Sequence, residues 1–143
     1  MKNILKFIPH RYPFLLIDRI IEYNKDKFIK TIKNITANDP WLQGHFPGNF
    51  IFPAVLLVES MAQTAIILSY INNYHNPKNG FYSLTKIQHV RFKKMVVPGD
   101  QLIIYVEILR KFNYSIFFSG KVFLKNILVC SAKFLCTYIK SIN

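Results

Sequence analysis

His45 and Glu59 stand fourteen residues apart, the first in a glycine-flanked loop and the second about two turns into an apolar run. An imidazole can be neutral near pH 7 and accept a proton. An apolar surround raises a carboxyl pKa until the group can donate one. The pair therefore suits general acid–base chemistry beside a carbonyl group. Pro53 suits the first position of a helix, and the backbone N–H groups of Ala54 and Val55 at that helix start can hold a carbonyl oxygen and the enolate-like charge formed on it. Gly44, Pro47 and Gly48 shape the loop around His45. Gln63, one turn beyond Glu59 on the same face, either orients its carboxyl or satisfies a backbone group. From the residues alone a plainer reading stays open: a loop histidine that is merely hydrogen-bonded, and a helical glutamate that is merely ion-paired.

These groups need a frame. Residues 54–71 are mostly Ala, Val, Leu, Ile and Met, so the helix they form is apolar on nearly all sides and must be buried. The run approaches membrane-span length, yet Glu59 and Gln63 lie inside it, which predicts burial in protein rather than lipid. Before it, a short helix is expected within residues 1–9, then strands over 14–23 and 28–35 joined as a hairpin, and a functional loop over 36–52. After it, the polar residues 76–80 make a connection. A long or bulged strand follows over 81–97, a type II turn at Pro98-Gly99-Asp100, and strands over 101–111, 114–124 and 127–139. Two strands, one buried helix and about four consecutive strands predict an antiparallel α+β sheet packed around the helix.

At 143 residues the chain reads as one domain, residues 1–143, large enough for a core without disulfides or metals. A hydrophobic share of 51% points to self-association. The net charge of +12 is spread from Lys2 to Lys140 and carried mainly by lysine, which argues against nucleic-acid recognition. Cys130 and Cys136 lie about 20 Å apart along one expected strand, beyond disulfide reach, and read as buried hydrophobes in a reducing compartment. No metal-ligand spacing is present. The early apolar run is broken by Pro9, His10 and Arg11, so a cytoplasmic location is expected. His10 reads as a structural residue near the loop, and His75 and His89 as surface residues.

Three blocks carry a resemblance. They are His10-Arg11-Tyr12-Pro13-Phe14-Leu15-Leu16-Ile17-Asp18-Arg19, then Gln43-Gly44-His45-Phe46-Pro47-Gly48 running to Glu59 and Ala62-Gln63, and Arg91-Phe92-Lys93 with Val96-Val97-Pro98-Gly99-Asp100. Together they resemble the FabZ-type β-hydroxyacyl-[acyl-carrier-protein] dehydratases, hotdog-fold enzymes of type II fatty-acid synthesis. The resemblance implies about six antiparallel strands wrapped around one long central helix, with active sites at a dimer interface and trimers of dimers. It implies His45 as the base at C2 and Glu59 of the partner subunit as the acid at the C3 hydroxyl, giving a trans-2-enoyl thioester without cofactor or metal. It also implies an acyl tunnel along the helix. Glutamate at 59, where dehydratase/isomerase relatives carry aspartate, speaks against isomerisation.

The chain departs from the pattern at Ala54, where the family has glycine, and at Asn49-Phe50. Alanine keeps the N–H but adds a methyl where backbone and substrate approach closely. Acyl carrier proteins are acidic, so Arg91, Lys93 and Lys94 are candidates for docking one. A lysine-protected edge strand is the alternative. Two further readings of the whole remain: a hotdog acyl thioesterase or CoA-dependent hydratase, and a non-catalytic carrier-protein-binding homologue.

Overall fold

The computed structural model describes residues 4–44, 48 and 50–141. A 3-10 turn at Ile4–Lys6 precedes strands β1 (Arg19–Asn24) and β2 (Phe28–Asn34) and a short helix α1 (Pro40–Gly44). The long helix α2 (Ala54–Ile71) comes next, then β3 (Gly80–Phe92), β4 (Gln101–Phe112), β5 (Ser115–Leu124) and β6 (Ile127–Lys140). All six strands join one antiparallel sheet in the order β1-β2-β4-β5-β6-β3. The two edges are thus β1 and the much longer β3.

Turn chemistry sets the register. Lys125 and Asn126 both adopt positive φ, 47° and 67°, as a two-residue hairpin between β5 and β6 requires. Asn113 does the same, with φ 48°, between β4 and β5. At Val97-Pro98-Gly99-Asp100 the Asp100 N–H donates to Val97 O at 3.1 Å and Gly99 has φ 96°, in keeping with the expected proline–glycine turn.

Strand β5 alternates strictly, burying Ile116, Phe118, Gly120, Val122 and Leu124 on the face that meets α2. Gly120 has a packing reason to lack a side chain: a Cβ there would lie 2.6 Å from Met61 Sδ and 3.0 Å from a Phe134 ring carbon. Helix α2 is buried from Ser60 to Ile71. Its hydroxyls satisfy themselves within that apolar setting: Ser60 donates to Leu56 O at 2.7 Å, Thr64 to Ser60 O at 2.9 Å and Ser69 to Ala65 O at 2.9 Å. Thr64 also meets Thr31 of β2 at 2.8 Å, a polar link across the helix–sheet interface.

Five expectations need correction. The first strand begins at Arg19, not at residue 14. The loop over 36–52 contains α1, because Asp39-Pro40 is a helix start: the Asp39 backbone O accepts from the Leu42 N–H at 3.1 Å, and Pro40 sits at the first helical position, where its missing N–H is no loss. Pro53 stands one residue before α2, at its N-cap. His75, expected as a surface residue, is half-buried in an aromatic cluster beyond the C-terminal end of α2: its ring stacks on Tyr138 at 4.5 Å, and Nδ1 lies 2.6 Å from the Tyr82 hydroxyl. The strand expected over 81–97 is one strand that ends at Phe92, with register shifts between Leu84 and Lys86 and between Gln88 and Arg91.

Gly120→Val should drive α2 off the sheet at Met61. The expected loss is roughly 1–3 kcal/mol, read as a lower denaturant midpoint at fixed protein concentration. An unchanged midpoint would mean that Met61 makes room at no cost.

Candidate functional site

Glu59 occupies the second turn of α2, with its side chain 19% exposed. Four residues on, Gln63 is fully buried and its carboxamide is shared three ways. Its Oε1 accepts from the Leu16 N–H at 2.8 Å, and its Nε2 donates to Phe14 O at 2.8 Å and to Glu59 Oε1 at 3.2 Å. This explains why the first strand starts late. Residues 14–16 spend backbone hydrogen bonds on a helix side chain, and the hairpin ladder is joined only at Asp18, whose N–H reaches Ile32 O at 2.9 Å.

The same segment delivers His10. Arg11 fixes it by folding its guanidinium onto backbone, donating to Ile8 O at 2.7 Å, His10 O at 2.8 Å and Leu5 O at 3.3 Å. The His10 ring stacks on Phe14 at 6.1 Å, and its Nε2 lies 3.7 Å from Glu59 Oε1. Its Nδ1 is buried without a hydrogen-bond partner among the described residues.

Burial sets the electrostatics. It pushes the Glu59 carboxyl above its ordinary range, partly opposed by the hydrogen bond from Gln63. It pushes His10 below its ordinary value, helped by the neighbouring Arg11 charge. From β6, the fully buried Cys136 thiol is pushed up as well, chiefly by burial and secondarily by the Glu59 charge. The arrangement is a protonatable carboxyl beside a neutral imidazole, both facing a cleft of about 660 Å³. Ala62 and Ile66 floor that cleft along α2, and Phe81, Tyr82 and Leu84 of β3 wall it.

A second cleft, of about 560 Å³, lies at the start of α2 and is lined by Ala54, Val55, Lys93, Lys94 and Met95. The Phe52 N–H, donating to Val96 O at 2.8 Å, ties the helix start to the segment after β3 and so brings these residues together. A cleft of about 680 Å³ on β2, β4 and β5, lined by Lys30, Tyr105 and Lys121, is slightly larger, but no imidazole lines it among the described residues.

Of the residues singled out in the sequence, Glu59 and Gln63 come together, and Ala54, Val55, Lys93 and Lys94 share the second cleft. Arg91 is exposed near the end of β3 and does not line that cleft. Gly48 is exposed, with φ 86°. His45 lies outside the described residues. Among the described residues, no group of three or more His, Cys, Asp or Glu side chains converges as a metal site. His10 is the neighbour that sequence reasoning left aside. The signal for it was its place at the head of the first of the three blocks.

The FabA-like domain family model matches residues 8–133. The 3-hydroxyacyl-[acyl-carrier-protein] dehydratase FabZ of Actinobacillus pleuropneumoniae serotype 5b is 44% identical over 134 residues, which cover 94% of this chain and 87% of that one. The FabZ of Buchnera aphidicola from Acyrthosiphon pisum is 42% identical over 133 residues, 93% of this chain and 88% of that one. Among solved structures, the dehydratase heterocomplex ApeI:P from Xenorhabdus doucetiae superposes with a TM-score of 0.83 at 15% identity, covering 97% of this chain and 92% of that one. A hypothetical thioesterase with coenzyme A from Streptococcus pneumoniae gives 0.64 at 12% identity, covering 87% and 88%. At such identities these two show the hotdog fold alone. The matches over nearly the whole length decide the rest: the chain belongs to the FabA-like family, among the FabZ 3-hydroxyacyl-[acyl-carrier-protein] dehydratases.

Proposed function

We propose that the protein dehydrates (3R)-hydroxyacyl groups carried on acyl carrier protein to trans-2-enoyl groups in type II fatty-acid biosynthesis. The observation that carries this reading is Glu59, a carboxyl kept protonatable by burial and held by Gln63 at an apolar cleft. His45 takes the C2 proton, and the electrons of that C–H bond form the C2–C3 double bond. Glu59 gives its proton to the C3 hydroxyl, which leaves as water. The N–H groups of Ala54 and Val55 hold the thioester carbonyl while charge builds on it. No cofactor or metal takes part.

In this reading two copies pair along the long edge β3, so that Glu59 of one copy faces His45 of the other, and three such dimers associate. Pairing of this kind would also cover an exposed strand edge, which isolated proteins otherwise protect. Lys93 and Lys94 at the mouth of the second cleft, with Arg91 nearby, dock the acidic carrier protein, and the acyl chain lies along Ala62 and Ile66. The assembly works in the cytoplasm, with neither membrane nor nucleic acid as partner.

Glu59→Gln and His45→Ala should each lower kcat for enoyl formation by about 10²–10⁴-fold. Equal turnover in all three proteins would remove the site assignment, and release of free thiol by the wild type would favour the thioesterase reading. Glu59 also makes a prediction that does not depend on turnover. A carboxyl whose pKa is raised by folding contributes stability that is fully present below its unfolded pKa and is lost as pH rises through its folded pKa. Glu59→Gln should therefore unfold at a higher denaturant concentration than wild type at pH 8, with the difference closing toward pH 4. A constant difference across that range would show that Glu59 is not the buried acid.

Reversing charge at Lys93 and Lys94 should raise KM for carrier-protein-linked substrate and weaken its salt dependence. Turnover of the same acyl group on a short, uncharged thiol should stay unchanged. If KM for the carrier-linked substrate does not move, docking lies elsewhere.

A further inference from the structure

Resting on the dehydratase reading, we infer that His10 is a positioning residue for the acid: together with Gln63 it directs N–H groups at Glu59 Oε1, leaving Oε2 to carry the proton that goes to the leaving hydroxyl.

The tautomer of His10 follows from its surroundings. Among the described residues Nδ1 is buried without a partner, and a buried N–H with no acceptor is unfavourable. The doubly protonated ring is disfavoured by burial and by Arg11 next to it. One proton therefore sits on Nε2, the nitrogen that faces Glu59 Oε1 at 3.7 Å. That separation exceeds a hydrogen bond, and active-site contacts of this kind tighten when substrate is bound. Gln63 approaches the same oxygen at 3.2 Å, with its own carboxamide locked by Phe14 and Leu16. An oxygen that accepts from Gln63 and faces the His10 N–H is the carbonyl-like one of a neutral carboxyl, so the O–H is on Oε2.

The proton moves from Oε2 to the C3 hydroxyl, the C–O bond electrons leave with water, and the negative charge on Glu59 is then met at Oε1 by two N–H donors. Of the other titratable groups around the pair, Arg11 is engaged with backbone carbonyls, while Tyr82 of β3 and Cys136 of β6 have pKa values raised by burial and stay neutral. Neither places a charge beside Glu59.

The test pairs His10→Phe, which keeps the stacking on Phe14 but removes the donor, with His10→Gln, which restores an N–H without a titrating ring. His10→Phe should lower kcat/KM by between about tenfold and a hundredfold. It should also move the alkaline limb of the pH profile upward by about one unit, because the carboxylate loses a donor. His10→Gln should recover both. A downward move of that limb, or a rate loss with the limb unmoved in both variants, would overturn the assignment. In the wild type, ¹⁵N-histidine spectra, with the His10 signals identified by their loss in His10→Gln, should show the proton on Nε2 and a bare Nδ1. A proton on Nδ1 would overturn the inference even if His10→Phe does not fold. A wild type that forms no enoyl product but shows the Nε2–H tautomer would instead remove the dehydratase reading and leave the His10–Glu59 contact standing.

Discussion

The carboxamide of Gln63 is where the sheet's leading segment, the central helix and the acid meet. An amide side chain has one acceptor oxygen and two donor hydrogens, and here the oxygen holds Leu16 while the nitrogen holds Phe14 and Glu59. Because the site is fully buried, none of these bonds can be exchanged for water without cost. The segment before β1 is therefore pinned against α2 instead of joining the sheet, and that pinning sets where His10 stands. A glutamine buried for structural reasons thus places two ionisable groups, one directly and one through the backbone it holds.

Burial of α2 supplies the other half of the site. An apolar helix enclosed by five strands gives the carboxyl at 59 a poorly hydrated environment, while the hydroxyls of Ser60, Thr64 and Ser69 return to the helix's own carbonyls and leave no polar debt. Gly120 lets the helix sit close to the sheet, and closeness keeps water from its inner face. The acid's altered pKa is a property of the packing as much as of its immediate neighbours.

Much of this was legible in the chain. The apolar run defined α2 from Ala54 to Ile71, and the pairs Lys125-Asn126 and Pro98-Gly99 marked their turns, because local backbone preferences decide such features. What was not legible came from partners distant in sequence. Residues 14–17 have strand-like composition, yet Gln63, nearly fifty positions away, claims their hydrogen bonds. His75 sits among polar residues and reads as exposed, but Tyr82 and Tyr138 of two strands pack against its ring and leave it half-buried. Asp39-Pro40 was a local signal that a long-loop reading passed over. His10 combined both difficulties, since its meaning depends on Glu59 forty-nine residues later.

The buried thiol of Cys136 has a chemical consequence of its own. A trans-2-enoyl thioester is a Michael acceptor, and a nearby thiolate would add to its C3 and alkylate the protein. Cys136 is close enough to Glu59 to sense its charge, but enclosure holds it as the thiol, the unreactive form. The packing that keeps a proton on the acid also keeps one on the sulfur, and it closes the sulfur off from the cleft where the electrophile is proposed to form.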